Sequence, residues 1–136
     1  MKVLFVCKGN VGRSQMAEAF FNYQTKKHRA ISAGTDSLPA YAGRKIGDIS
    51  DSIVSSMKDE GIDISDELSK QLCESVVNFC DLVVWITNKD AVPSYMSKKD
   101  IVYWDVADAA GTSYEFHCKV RDKIKGLVSR LVLDLG

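Results

Sequence analysis

Cys7 and Arg13 stand at the two ends of a short polar segment, Cys7-Lys8-Gly9-Asn10-Val11-Gly12-Arg13-Ser14. The intervening residues are enough for a loop that curls until its N–H groups turn inward as an anion nest. Gly9 and Gly12 supply the backbone freedom for positive φ angles and the close approach to a ligand that such a nest needs. The planar fork of Arg13 matches two oxygens of a tetrahedral oxyanion. Asn10 suits a left-handed backbone, and the Ser14 hydroxyl is placed to stabilise a thiolate. With a helix N-terminus and Arg13 beside it, Cys7 is the candidate nucleophile. A thiolate beneath a bound phosphate is arranged for phosphoryl transfer to sulfur. The plain alternative is that a cysteine ending a buried strand is a small core residue. The glycines and the flanking elements favour chemistry.

Those elements can be read in turn. Lys2-Val3-Leu4-Phe5-Val6 is a buried strand. Met16, Phe20 and Tyr23 then recur at helical spacing, predicting a helix from about Arg13 to Lys26. The loop therefore joins the C-terminal end of a strand to the N-terminus of a helix. Open α/β sheets bind ligands there, and unpaired N–H groups with the helix dipole favour an anion. Arg29 to Ala33 is a second strand ended by Gly34, and a turn-rich rim loop runs from Thr35 to Gly47. Ile46, Ile49, Ile53 and Met57 mark a second helix closed by Gly61. A short helix over Lys70 to Asn78 precedes a third strand, Leu82 to Ile86. A brief helix around Ala91 to Met96, with Pro93 in its first turn, leads to a fourth strand, Ile101 to Trp104. Thr112 and Glu115 form a capping-box pattern. It opens a last helix facing inward through Phe116, Val120, Ile124, Leu127, Val128 and Leu131. Alternating strands and helices predict an α/β fold with a parallel sheet covered on both faces.

Residues 1–136 are expected to form one domain, large enough to bury its own core. Hydrophobic residues make up 46% and charged residues 26%, as in an ordinary globular protein. Eighteen basic residues balance eighteen acidic ones, which argues against nucleic acid or an anionic membrane as partner. No apolar run has the length of a membrane span, and the N-terminus has no signal-peptide cleavage pattern. The four cysteines show neither a disulfide framework nor metal-ligand spacing. A reactive thiolate belongs in a reducing compartment, so a cytoplasmic location is expected, with no metal and no cofactor. Cys73, Cys80 and Cys118 read as core or structural thiols. His28 and His117 read as exposed or helix-end residues away from the loop.

Expelling an alkoxide or phenoxide calls for a general acid, and a carboxylate after another parallel strand would share the same rim. Asp105 and Asp108 are the candidates. Both could also be solvated loop residues.

Val3 to Glu18, including Cys7 to Ser14, resembles the signature of the low-molecular-weight protein tyrosine phosphatases, shared with the thioredoxin-coupled arsenate reductases. The resemblance implies a three-layer fold whose four parallel strands lie in the order 2-1-3-4. It implies Lys8 to Ser14 as the phosphate-binding loop, Cys7 as nucleophile and Arg13 as clamp. Val106-Ala107-Asp108-Ala109 matches the family's Val-Pro-Asp-Pro acid motif at valine and aspartate. Asp108-Ala109-Ala110-Gly111 resembles the reductases' Asp-Pro-Ala-Gly, so both alignments select Asp108. Ser32 matches a strand-two serine that bonds the loop asparagine. The implied activity is phosphomonoester hydrolysis through a cysteinyl-phosphate. The implied ligands are phosphorylated proteins or small phosphomonoesters, inorganic phosphate and other tetrahedral oxyanions.

The sequence also departs from that pattern. Gly12 replaces a second cysteine that many members use to protect the nucleophile. Ala109 and Ala110 replace the aromatic wall that usually follows the acid, and Leu38 falls near the other wall position. Tyr41 and Tyr114 lie near enough to substitute but read as surface tyrosines. Glu67 falls where the family often has a histidine in the loop's hydrogen-bond network. The reductases share Gly61-Ile62-Asp63-Ile64-Ser65 and Val120-Arg121-Asp122 with this chain, yet their relay thiols follow strand three. Here that stretch is Thr87-Asn88-Lys89-Asp90. Cys73 and Cys80 have a suitable mutual spacing but precede the strand, and are expected toward its opposite end. The alternative activity is therefore arsenate reduction with an external thiol, which needs only Cys7.

Overall fold

The computed structural model describes residues 1–136. Lys2–Cys7 forms β1, a strand buried from Val3 onward, and Arg13–Gln24 forms α1. β2 (Arg29–Gly34) follows, then α2 (Asp51–Lys58), α3 (Glu74–Phe79), β3 (Leu82–Trp85), β4 (Ile101–Tyr103) and α4 (Tyr114–Leu135). All strand pairs are parallel, and the order is β2-β1-β3-β4, the order the resemblance implied. Every strand thus ends on one edge, and Cys7 pairs with Gly34 there.

Two apolar layers cover the sheet, because consecutive strand residues point to opposite faces. Val3, Phe5 and Cys7 face α1, α2 and α4, joining Phe21, Met57, Ile124 and Val128. Phe5 packs edge-on to Phe21 at 5.8 Å between ring centroids and lies 5.6 Å from Trp104. Leu4 and Val6 face the other way, toward Val77, Cys80, Trp85 and Met96. No helix is long and apolar enough to cross a membrane.

Several elements differ from the sequence expectation, each for a local reason. Helix α1 ends at Gln24, where Thr25 turns extended. The second helix divides into a 3-10 turn at Ile46–Asp48 and then α2. Ser50 intervenes as N-cap, its hydroxyl accepting from Ile53 N–H. Helix α3 begins only at Glu74, because the preceding residues extend the sheet. Gly34 N–H donates to Lys70 O and Leu72 N–H donates to Gly34 O. The Ala91–Met96 segment is two 3-10 turns, and Pro93 is the N-cap of the second. Ser113, not Thr112, caps α4 by accepting from Phe116 N–H. Thr112 instead closes the preceding turn, its N–H donating to Ala109 O at 3.0 Å.

Candidate active site

The loop after β1 is held from three sides. Asn10 is fully buried and has a positive φ of 57°. Its side-chain amide uses all four of its hydrogen-bonding positions. Nδ2 donates to Ser14 Oγ at 2.7 Å and to Ser32 Oγ at 3.0 Å. Oδ1 accepts from Gln15 Nε2 at 3.0 Å and from Lys70 N–H at 2.8 Å. Ser69 adds a bond from its hydroxyl to Gly9 O. Gly34 is required beneath: a Cβ there would stand 2.6 Å from Lys8 O and 2.8 Å from Asn10 N.

These contacts hold the backbone while leaving its donors unpaired. The N–H groups of residues 8–12 find no acceptor in the protein. A run of unpaired donors around a buried residue is costly unless a ligand accepts from them, and an oxyanion satisfies several together. Cys7 is buried at the base, with Sγ 2.9 Å from Ser14 Oγ. Because Ser14 Oγ already accepts from Asn10, its own hydrogen is free to point at sulfur.

Arg13 opens α1. Its Nη1 donates to Ile86 O at 2.8 Å and to Val106 O at 3.2 Å. These two carbonyls, at the exits of β3 and β4, fix the guanidinium plane and leave its other edge for an anion. Nη2 lies 3.7 Å from Asp108 Oδ2, the Arg13 side chain being 11% exposed and that of Asp108 56%. Asp108 is otherwise held through Oδ1, which accepts from Ala110 N–H. Asp105 does not line the cleft that holds Cys7 and Asp108, and its backbone carbonyl accepts from Lys123 Nζ.

Cys7, Arg13 and Asp108 line one cleft of about 550 Å³. Lys8, Gly9, Val11 and Gly12 line it too, while Asn10, Ser14 and Ser32 stand behind the loop as supports. Ser32 Oγ also donates to Glu18 Oε1 at 2.9 Å. Burial pushes the Glu18 carboxyl above its ordinary range, against the opposing pull of the Lys70 ammonium 3.9 Å away. No three His, Cys, Asp or Glu side chains converge as a metal site.

Five sequence expectations need correction. Neither Gly9 nor Gly12 takes a positive φ; that conformation falls on Asn10, whose side-chain bonds hold it, and a Cβ at either glycine would meet only side chains. His117 is 5% exposed and lines the cleft. It lies three residues before Val120 on the buried stripe of α4, the spacing that would have revealed it. Tyr41 also lines the cleft, with its ring against Gly9, whereas Tyr114 bonds Asp59 outside it. Glu67 is exposed, and the loop contacts come instead from Gln15, Ser69 and Lys70. Cys73 is exposed just past the bridge between Gly34 and Gln71, near the cysteine-loop edge rather than the far end. Cys80 alone lies buried before β3, where burial pushes its thiol upward.

A loop of unpaired N–H groups, a buried cysteine and an arginine at the C-terminal edge of a four-stranded parallel sheet form a site suited to an oxyanion. The chain belongs to the low molecular weight phosphotyrosine protein phosphatase family, whose profile matches residues 2–136. It is 32% identical over 131 residues to an arsenate reductase of Brevibacillus brevis, covering 94% of this chain and 91% of that one. It is 32% identical to a low molecular weight protein tyrosine phosphatase from T. tengcongensis, with a TM-score of 0.84 over 98% of this chain and 99% of the other. It is 25% identical to the YwlE arginine phosphatase, solved as a C7S mutant with a phosphorylated active site serine. There the TM-score is 0.85 over 99% of this chain and 95% of the other.

Proposed function

We propose that this protein is a cysteine-dependent phosphomonoesterase acting on phosphotyrosine or similar phosphomonoesters. The observation that carries the reading is the shared cleft, with Cys7 at its base and the Arg13–Asp108 pair, 3.7 Å apart, on its rim. Cys7 Sγ attacks phosphorus in line while the loop N–H groups and Arg13 hold the equatorial oxygens. As the S–P bond forms and the P–O bond breaks, protonated Asp108 gives its proton to the leaving oxygen. Water then attacks the cysteinyl-phosphate, Asp108 takes its proton, and the S–P bond breaks to release phosphate and the Cys7 thiolate. The phosphorylated active site serine in the YwlE C7S mutant supports phosphoryl transfer to an active-site side chain in a similar protein.

The second reading is arsenate reduction with an external thiol, favoured by the relatives named arsenate reductase. An internal relay is disfavoured. Thr87 to Asp90 contains no cysteine, and Cys73 and Cys80 stand at the two ends of α3, Glu74–Phe79. Seven residues of mainly helical rise separate them by about 10 Å, beyond disulfide reach without unwinding.

The test is p-nitrophenyl phosphate hydrolysis by wild type, Cys7→Ser and Asp108→Ala, with arsenate reduction by glutathione measured in parallel. Hydrolysis that requires Cys7 and is weakened in Asp108→Ala supports the phosphatase. Arsenate reduction without hydrolysis promotes the second reading.

A further inference from the structure

The cleft contains one polar ring that the phosphatase chemistry above does not use. His117 sits in the first turns of α4, is almost wholly buried, and shares the cleft with Cys7, Arg13 and Asp108. Its Nδ1 is buried without a hydrogen-bond partner. An orphaned N–H in the interior is rarer and costlier than an orphaned lone pair. The ring proton therefore belongs on Nε2, the nitrogen left to meet the cleft. That makes His117 a hydrogen-bond donor available to an occupant of the cleft.

The remaining wall is suited to the same kind of occupant. Ala109, Ala110 and Gly111 follow Asp108 and offer no ring to stack on a substrate. Leu38 is 58% exposed and is not part of the cleft lining. Ser50, the N-cap of α2, and Ser52 in its first turn also line the cleft. Tyr41 is the single Phe, Tyr or Trp in the lining, and its ring lies against Gly9. A phenyl ring placed here would leave His117 Nε2–H without an acceptor. A hydroxyl-bearing leaving group would satisfy it.

We infer that His117 is a specificity-determining residue, and that the cleft takes phosphomonoesters of hydroxyl-rich alcohols, such as polyol phosphates, through a hydrogen bond from His117 Nε2 to the leaving group. This rests on the phosphatase reading. The His117 bond orients the alcohol, and the phosphoryl chemistry remains with Cys7, Arg13 and Asp108.

The experiment compares kcat/KM for glycerol 2-phosphate and p-nitrophenyl phosphate in wild type, His117→Phe, His117→Gln and Cys7→Ser. Phenylalanine fills the space without a donor, and glutamine restores an N–H near the position of Nε2. The expected result is a polyol-to-aryl ratio about tenfold lower in His117→Phe, with most of the ratio recovered in His117→Gln. An unchanged ratio in His117→Phe overturns the inference, as does equal loss on both substrates in both variants. Wild-type enzyme that hydrolyses only the aryl ester also overturns it. Wild-type turnover that persists in Cys7→Ser is a separate outcome: it removes the cysteine-dependent reading on which this inference rests.

Discussion

The two sides of the cleft are built differently. On one side, the Cys7–Ser14 loop is fixed by a buried asparagine with every hydrogen-bonding position filled, by Ser14, Ser32 and Ser69, and by the close floor of Gly34. On the other, Asp108 is more than half exposed and rests on one backbone N–H and a 3.7 Å approach to Arg13. A group that must match the charge of a transition state gains from being held in advance. A group that must deliver a proton to leaving groups of different shape tolerates a looser hold. Arg13 links the sides, because the carbonyl of Val106 that it grips lies two residues before Asp108.

Perturbations should separate the two sides. The largest effect is expected from Cys7→Ser, which should reduce phosphatase turnover to background in a p-nitrophenyl phosphate assay. Arg13→Lys keeps the charge but loses the fork and the anchoring to Ile86 and Val106. It should lower kcat by about 10²–10³-fold, the range seen when an oxyanion donor is removed, and weaken phosphate binding by calorimetry. Asp108→Ala should lower kcat by about 10²–10⁴-fold with phosphate binding retained. That split between chemistry and binding is the sharpest mark of an adjustable side.

Smaller effects probe the supports. Gly34→Ala places a methyl group against Lys8 O and Asn10 N, so the loop must shift. Misplacement of about 1 Å corresponds to roughly 10²-fold in rate, and phosphate affinity should fall with it. The smallest effect is expected at Glu18. Burial raises its folded-state pKa, with Lys70 opposing. An acid whose pKa is raised on folding favours the folded state least when ionised, so stability falls as pH rises from the ordinary carboxylate range through the folded value. Glu18→Gln should flatten that slope in thermal melts at pH 4 to 7 (~3 pH units) and change turnover little. A larger loss of turnover would show that Glu18 also sets the position of the loop through Ser32.

The sequence was most informative where one residue type answers one demand. The apolar run of β1 and the helix periodicity of α1, with Cys7 and Arg13 between them, located the loop without its partners. Asp108 came from resemblance, since nothing local distinguishes it from Asp105. Less legible were features set by long-range packing. The close approach that makes Gly34 necessary arises between separate elements, as do the Lys70 and Ser69 contacts to the loop. His117 was readable in principle from its place three residues before Val120, but a polar residue type obscured the stripe. Tyr41 was not, because irregular backbone carries no periodicity to show which way a side chain turns.

The most direct measurement is intact-protein mass spectrometry of Asp108→Ala quenched during p-nitrophenyl phosphate turnover. Nitrophenolate leaves without much help from an acid, whereas water attack on the phosphoenzyme needs a base, so the intermediate should accumulate. The expected result is a phosphoryl adduct mapped to Cys7, accompanied by a burst of nitrophenolate. Sustained turnover with no adduct on Cys7, and no loss in Cys7→Ser, would contradict the cysteinyl-phosphate route.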